Sequence, residues 1–246
     1  MQNTTAIVLK MKAQGESSSL IHVYSREFGK LILIAKGARG PKSDFRGLLE
    51  PFSLLNIHYN EKKGRAYHFL SHAEYLDPFT HLKTNPRAVL YGSVLLEILY
   101  KIPDTQTDPA LFDLLRDVLT AVNRGSDAVN MHAFFILHYL RLEGLMLDPE
   151  HCFQCGKVPD KACFLPHSGQ ILCENCSQGY APVWELPATL LSLLIMMMNE
   201  NIARIAQLRE TTADVTLLNR LLWNTLASRF ENCRTLRSVD ILRKVL

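Results

Sequence analysis

Leu20-Ile21-His22-Val23-Tyr24-Ser25-Arg26-Glu27-Phe28-Gly29-Lys30-Leu31-Ile32-Leu33-Ile34-Ala35 reads as two strands and the turn between them. Each run is short, apolar and rich in branched side chains, and Gly29 punctuates the pair. Working outward, residues 4–76 keep this texture. Upstream, Ile7, Leu9 and Met11 alternate with Val8, Lys10 and Lys12, the period of a half-buried strand. Downstream, Phe52 to Tyr59 forms a fourth run with Leu55, Ile57 and Tyr59 on one face. Ala66 to Leu76 forms a fifth, after the charged turn Asn60-Glu61-Lys62-Lys63-Gly64. Five short strands in about 75 residues suit a small closed or partly open barrel. One long connection, Lys36 to Pro51, interrupts the rhythm and carries Gly37, Gly40, Pro41 and Gly47.

Beyond Asp77–Pro86 the apolar period changes to that of a helix. Asp108-Pro109 offers an N-cap carboxylate followed by proline at the first helical position. Leu111, Leu114, Leu115, Val118, Leu119 and Val122 follow at helical spacing, and Gly125 ends the run. Met131, Phe134, Phe135, His138 and Leu142 mark a second such helix. Pro187 opens another through Leu190, Leu194 and Met198. Leu217, Leu218, Leu221, Leu222 and Leu226 make a fourth, and Val239, Leu242 and Leu246 a short last one. The longest nearly uncharged apolar run, Leu186 to Met198, is too short to cross a bilayer. With no secretory apolar region near residue 1, the expected location is cytoplasmic.

Between these helices lie five of the six cysteines. Cys152-Phe153-Gln154-Cys155 and Cys173-Glu174-Asn175-Cys176 are separated by 17 residues, a spacing that suits one structural zinc ion. Four thiolates complete a tetrahedron and leave no place for a reactive water, so one Zn2+ per chain would shape the fold rather than catalyse. The alternative is a set of reduced cysteines without metal. Cys163, His151 and His167 are substitute ligands that do not improve the spacing, and Cys233 reads as a helix residue.

Charge is unevenly placed. Residues 1–65 hold eleven Lys+Arg against five Asp+Glu, a net +6, and residues 66–246 hold the other 16 basic and 19 acidic residues, a net −3. A basic head on a mildly acidic remainder suits a polyanion. The motifs of common enzyme classes are missing. Gly29-Lys30 and Gly156-Lys157 lack the rest of a phosphate loop, and no dinucleotide fingerprint occurs. His72-Ala73-Glu74 has the H-x-E of zinc deaminases, but neither cysteine pair follows a proline, so His72 reads as a strand residue. No catalytic residue is assigned.

Single-strand binding needs a cationic groove and aromatic faces, and the basic head supplies both residue types. Lys10 and Lys12 share a strand face. Arg26, Phe28 and Lys30 cluster in a turn, and the long connection interleaves Lys36, Arg39, Lys42 and Arg46 with glycines and Phe45. These cations are the candidate phosphate contacts. Phe28 and Phe45 are the candidate stacking residues, with Tyr24 a weaker one, while Tyr59, Tyr67 and Phe69 read as barrel core or as packing against the helices. The plainer reading of the loop is a solvated basic surface.

Ala35-Lys36-Gly37-Ala38-Arg39 followed by Phe45-Arg46-Gly47-Leu48-Leu49-Glu50-Pro51-Phe52 resembles the most recognisable segment of the RecO family of bacterial recombination mediators. The likeness spans the whole chain, including the opening Ala6-Ile7-Val8-Leu9 and the four-cysteine insertion. It implies an α+β, two-domain protein: an OB-fold barrel over 1–80 that binds single- and double-stranded DNA, and an all-α domain over 81–246 carrying the zinc module at 150–180. It also implies a non-enzymatic, nucleoid-associated protein that anneals complementary strands, contacts the C-terminal tail of the single-stranded-DNA-binding protein SSB, partners RecR, and helps RecA replace SSB. The SSB tail would need an apolar pocket flanked by cations, for which Arg116, Arg124, Arg141, Arg204, Arg209 and Arg220 are candidates. The competing readings are a zinc-ribbon RNA-binding protein and a structural adaptor.

Overall fold

The computed structural model describes residues 1–103, 107–145, 148–208 and 212–245. Leu246 and Arg209, named above, lie outside the described residues. The chain forms two compact units, Met1–Asn123 and Arg124–Leu246.

In the first unit, β1 (Gln2–Gln14), β2 (Ser18–Ser25), β3 (Gly29–Ala35), β4 (Leu54–Asn60) and β5 (His68–Asp77) close into a barrel. The five strands expected from the sequence are these five. Their order around the barrel is β1-β2-β3-β5-β4. β5 runs parallel to β3, with Leu33 opposite His68 and Ile34 opposite Phe69, and antiparallel to β4. β1 serves two neighbours: residues 2–7 pair with β4 and residues 6–14 with β2. A register shift between Val8 and Lys10 marks the bend that lets one strand do both. Ala6, Val8, Ile21, Val23, Leu33, Leu55 and Ile57 fill the barrel. Ile7 and Leu9, on the opposite face of β1, are buried as well, because this strand also packs against a helix.

That helix is the second of three among the described residues of the unit: α1 (Thr80–Thr84), α2 (Pro86–Lys101) and α3 (Pro109–Asn123). Asn85 caps α2 by accepting from the N–H groups of Arg87 and Ala88, with Pro86 at the first turn. Asp108 accepts from the Ala110 N–H at 2.8 Å, the cap expected for α3. Phe52 is buried in the left-handed conformation, φ 73°, and its ring fills the place where a side chain at Gly92 of α2 would stand. Its N–H donates to the Val8 carbonyl at 2.9 Å.

The second unit centres on α4 (Ala128–Leu142), which is buried on nearly every side. It is followed by β6 (Ala162–Leu165), β7 (Gln170–Cys173), α5 (Glu174–Ser177), β8 (Trp184–Glu185), α6 (Ala188–Asn199), α7 (Ile202–Ile205), α8 (Ala213–Arg229) and α9 (Arg237–Val245). α6, α7 and α8 pack on α4. Two polar contacts cross this core: the Trp223 indole N–H donates to His132 Nε2 at 2.9 Å, and the Asn219 amide donates to the Val129 carbonyl at 3.2 Å. Cys233, expected on a helix, is buried at the end of a short 3-10 turn, Glu231–Cys233.

His138 of α4 lies 3.1 Å from the Met197 carbonyl and against the Phe134 ring. A carbonyl only accepts, so the ring nitrogen carries the hydrogen. Burial lowers the His138 pKa, the Met197 bond partly opposes this, and Arg141 lowers it further. The unfolded chain therefore takes up a proton near pH 6.5 that the folded chain resists. Stability is intact above that value and is lost as pH falls through the folded pKa. A His138→Gln chain should show a shallower fall in Tm than the wild type as pH is lowered below 6.5. Equal slopes would place the acid sensitivity elsewhere.

Candidate nucleic-acid interface and metal centre

The connection Lys36–Pro51 is a string of tight turns. Gly40, Ser43, Arg46 and Leu48 each donate a backbone N–H to the carbonyl three residues earlier. Gly37 and Gly47 hold φ values of 68° and 79°, which side chains disfavour. Ala38, Phe45 and Leu48 pack down on the barrel core, so the loop is seated. A cavity of about 380 Å³ opens beneath it, lined by Met11, Arg39, Phe45, Arg46 and Leu49 among others.

The sequence-predicted cations divide into two groups. Lys12, Lys36, Lys42 and Arg46 are exposed. Others are held by the protein. Arg26 makes a two-point ion pair with Asp113 at 3.1 and 2.9 Å, which holds the Asp113 carboxyl below the usual range. Lys30 donates to the Ile102 carbonyl at the end of α2. Arg39 ties the loop to the turn between β1 and β2: its backbone N–H donates to the Ser17 carbonyl at 2.8 Å, and its guanidinium donates to the carbonyls of Gly15 (2.5 Å) and Glu16. Lys10 is half-buried, its ammonium 4.6 Å from the centre of the Tyr100 ring. His22, near Lys10 and Lys12, has its pKa lowered by burial and then by those two charges.

The aromatic residues also sort differently from expectation. Phe28 is exposed and meets Tyr59 edge-on at 6.0 Å. Phe45, expected to stand free, is half-buried on the barrel core. Tyr24 is buried. Tyr59 is barrel core, as its strand position suggested. Tyr67 and Phe69, read from the sequence as barrel core or as packing against the helices, are half-exposed. Their rings meet edge-on at 5.9 Å, and three cations gather on them. Lys36 and Lys62 place their ammonium groups 4.7 and 5.7 Å from the Phe69 centroid. Arg65 lies 5.7 Å from the Tyr67 centroid and donates to its hydroxyl at 2.7 Å. Lys62 and Arg65 were not among the sequence candidates. The signal was present as Lys62-Lys63-Gly64-Arg65 beside Tyr67-His68-Phe69, cations and rings interleaved at a strand entrance.

The four cysteines are brought together by a small sheet of order β7-β6-β8 and two knuckles. In the first, the Gly156 N–H donates to the Cys152 carbonyl and the Cys152 N–H to the Lys157 carbonyl, both at 2.8 Å. The Phe153 N–H donates to Ile171 of β7, also at 2.8 Å, docking this knuckle on the hairpin. Cys173 ends β7 and caps α5, which carries Cys176. All four Sγ atoms lie within 4.8 Å of one another, with Cys155 and Cys173 3.9 Å apart. Thiolates on a tetrahedral zinc at about 2.3 Å stand roughly 3.8 Å apart, so the donor set fits such an ion. Burial works to raise the Cys152 thiol, but backbone N–H groups around it and the Cys155 thiol prevail and bring it to about 6. Cys176 goes the other way, to about 12, because it donates to Cys173 and is partly desolvated. Four convergent sulfurs at this spacing are a site a cation can occupy. Cys163 lies apart in β6, and His151 is engaged with Asp148 at 3.1 Å. Among the described residues, no other group of three or more Cys, His, Asp or Glu side chains converges.

The second unit also holds a pocket of about 200 Å³, lined by Trp184, Leu186, Leu190, Leu217 and Leu221 together with the polar Glu185, Arg220 and Asn224. Of the other arginines considered for such a pocket, Arg116 is paired with Asp113 and Asp117, Arg204 contacts Gln207, and Arg124 and Arg141 are exposed. No helix among the described residues is long and apolar enough to cross a membrane.

Comparison with known proteins agrees with this anatomy. Residues 1–79 match the family description "Recombination protein O N terminal", which is the barrel, and residues 83–232 match "Recombination protein O C terminal". A "DNA repair protein RecO" of Syntrophobacter fumaroxidans is 30% identical over 213 residues, covering 84% of this chain and 83% of that protein. One of Exiguobacterium sibiricum is 27% identical over 241 residues, covering 98% and 95%. Barrel, helical remainder and four-cysteine metal-binding cluster thus all fall within one lineage, and the chain belongs to the RecO family of DNA repair proteins.

Proposed function

We propose that this chain is a recombination mediator without a catalytic site. It binds single- and double-stranded DNA through residues 1–80, anneals complementary strands, and acts on SSB-coated DNA together with RecR so that RecA can load at gaps and breaks. The observation that carries the reading is the loop Lys36–Arg46, seated on the barrel core by Ala38 and Phe45 and presenting the exposed cations Lys36, Lys42 and Arg46. Fixed cations on a closed barrel bind phosphates with little sequence preference. Neutralising phosphates on two strands at once lowers their mutual repulsion, which favours pairing. Arg26, Lys30 and Arg39 play a supporting part by holding the turns from which the exposed cations project.

Residues 81–246 would supply the partner contacts in the cytoplasm. The pocket beside Arg220 combines leucine and tryptophan walls with one exposed guanidinium, and Glu185 in the same lining would have to face away from an acidic ligand. That combination suits a short acidic tail ending in apolar residues, such as the SSB tail. The metal is best taken as one zinc per chain, held by Cys152, Cys155, Cys173 and Cys176. It would supply four strong bonds that fix the knuckles, and these residues would leave no open position for a reacting group.

The test is annealing of two complementary oligonucleotides coated with the cognate SSB, over a salt series. Annealing that fades with salt is expected. Annealing of bare strands alone would remove the mediator role, and none at all would favour an adaptor. The combined Lys36→Ala, Lys42→Ala, Arg46→Ala chain should lower the salt slope of single-strand binding by about 2. An unchanged slope would put the DNA elsewhere.

A further inference from the structure

We propose that Tyr67 and Phe69 form a stacking site that accepts unpaired bases and refuses duplex DNA, so that the barrel itself distinguishes single from double strands. The inference rests on the nucleic-acid reading above and goes beyond it by naming the form of DNA this patch selects. Both rings are half-exposed at the entrance of β5. Parallel pairing of Ile34 with Phe69 brings the exit of β3, and hence Lys36, to the Phe69 ring. The loop before β5 folds back, its Lys62 N–H donating to His68 Nδ1 at 3.1 Å, and delivers Lys62 and Arg65 to the same place. Two rings and three cations thus meet at one edge of the barrel, while Phe28 meets Tyr59 and Phe45 is packed inward.

The ring geometry sets the selectivity. Tyr67 and Phe69 are inclined at 85° to each other. No continuous base stack can lie flat on both, so a strand that uses both rings must turn between successive bases. A single strand does so readily. A duplex would have to break its own stacking and pairing, and it can offer the cations only its phosphates. The lysine ammonium groups over Phe69 do not obstruct this. An exposed cation–ring contact is weaker than a base on the same ring, and a flexible lysine can move its charge to the adjoining phosphate.

The experiment is binding of a ~15-nucleotide thymidine strand and of a duplex of equal length, followed by fluorescence anisotropy at low salt. Tyr67→Ala and Phe69→Leu are each expected to weaken single-strand binding about tenfold or more while changing duplex binding less than about twofold. Phe69→Trp keeps a ring and the fold. Its added emission, taken as the difference from the wild type with Trp184 and Trp223, should be quenched by the single strand and unmoved by the duplex. Equal losses on both forms, no loss on either, or quenching by both would overturn the proposal. A wild-type chain that binds neither oligonucleotide would instead overturn the nucleic-acid reading itself.

Discussion

Stripping metal from the four-cysteine centre with a strong chelator is expected to unfold residues 150–185 and release one ion per chain. The small core there consists of Cys152, Leu165 and Leu172, with Cys173, Cys176 and Val183 packed against it. Burying two leucines contributes about 3–6 kcal/mol. Four thiolates on zinc contribute roughly 10–16 kcal/mol in small metal-folded modules. The ion therefore outweighs the two leucines; the segment's other supports are the buried Phe164 and Ile171 and the Phe164–Trp184 ring contact, on elements of only two to four residues. The first knuckle is docked through the Phe153 N–H on Ile171, so losing the cysteine bonds frees the knuckle and the hairpin together. Hydrogen exchange should show lost protection at Ile171 and Leu172 after chelation. Cys155→Ser should bring the metal content below one per chain, and Cys163→Ser should leave it at one. Retained protection in metal-free protein would mean that the sheet stands on its own.

The second large effect is expected at Phe52. Truncating this buried ring to alanine should cost about 3–5 kcal/mol in the first unit. The reason is more specific than lost area. Phe52 holds φ 73°, a conformation that costs a residue with a side chain about 1–2 kcal/mol. It is kept there by its bond to Val8 and by the notch at Gly92, where an added Cβ would stand 2.8 Å from the ring. The pair gives a test by sign. Gly92→Ala in the wild type forces a rigid, buried ring to move and should destabilise by about 1–3 kcal/mol. In the Phe52→Ala background the obstacle is gone, and the same change should stabilise by up to about 1 kcal/mol, as alanine does inside a helix. Urea unfolding of the four chains measures this. A Gly92→Ala effect of the same sign in both backgrounds would refute the lock.

Much of this was legible in the sequence because it depends on local pattern. Strand alternation, the Asp108-Pro109 cap and the spacing of the two cysteine pairs are each written within a few residues. What stayed hidden is set by distant pairing. Nothing near Arg26 announces Asp113, 87 residues on, and nothing near Lys30 announces the end of α2. Arg39 reads as one more loop cation until the turn at Gly15 is seen beneath it. Tyr67 and Phe69 looked like core or helix packing because aromatic residues in strands usually are. Their half-exposure follows from Leu70, which faces the core and so turns Phe69, and Tyr67 two residues before it, to the outside. The short strands β6–β8 leave no signal in the sequence, because strands of two to four residues carry too few alternations to count.

The double duty of β1 has a consequence for how the molecule is made. Its first half pairs with residues 54–59, Gln2 lying opposite Tyr59, so the barrel's seam joins the earliest part of the chain to a part synthesised some fifty residues later. During synthesis the hairpin of β1 and β2 can form early, but residues 2–7 wait as an open strand edge until β4 has left the ribosome. Open edges of apolar strands are where chains adhere to one another. The apolar stretch Ala6-Ile7-Val8-Leu9 is therefore the place where a nascent chain of this protein most needs shielding, and the closing of β4 against it is the moment that hazard ends.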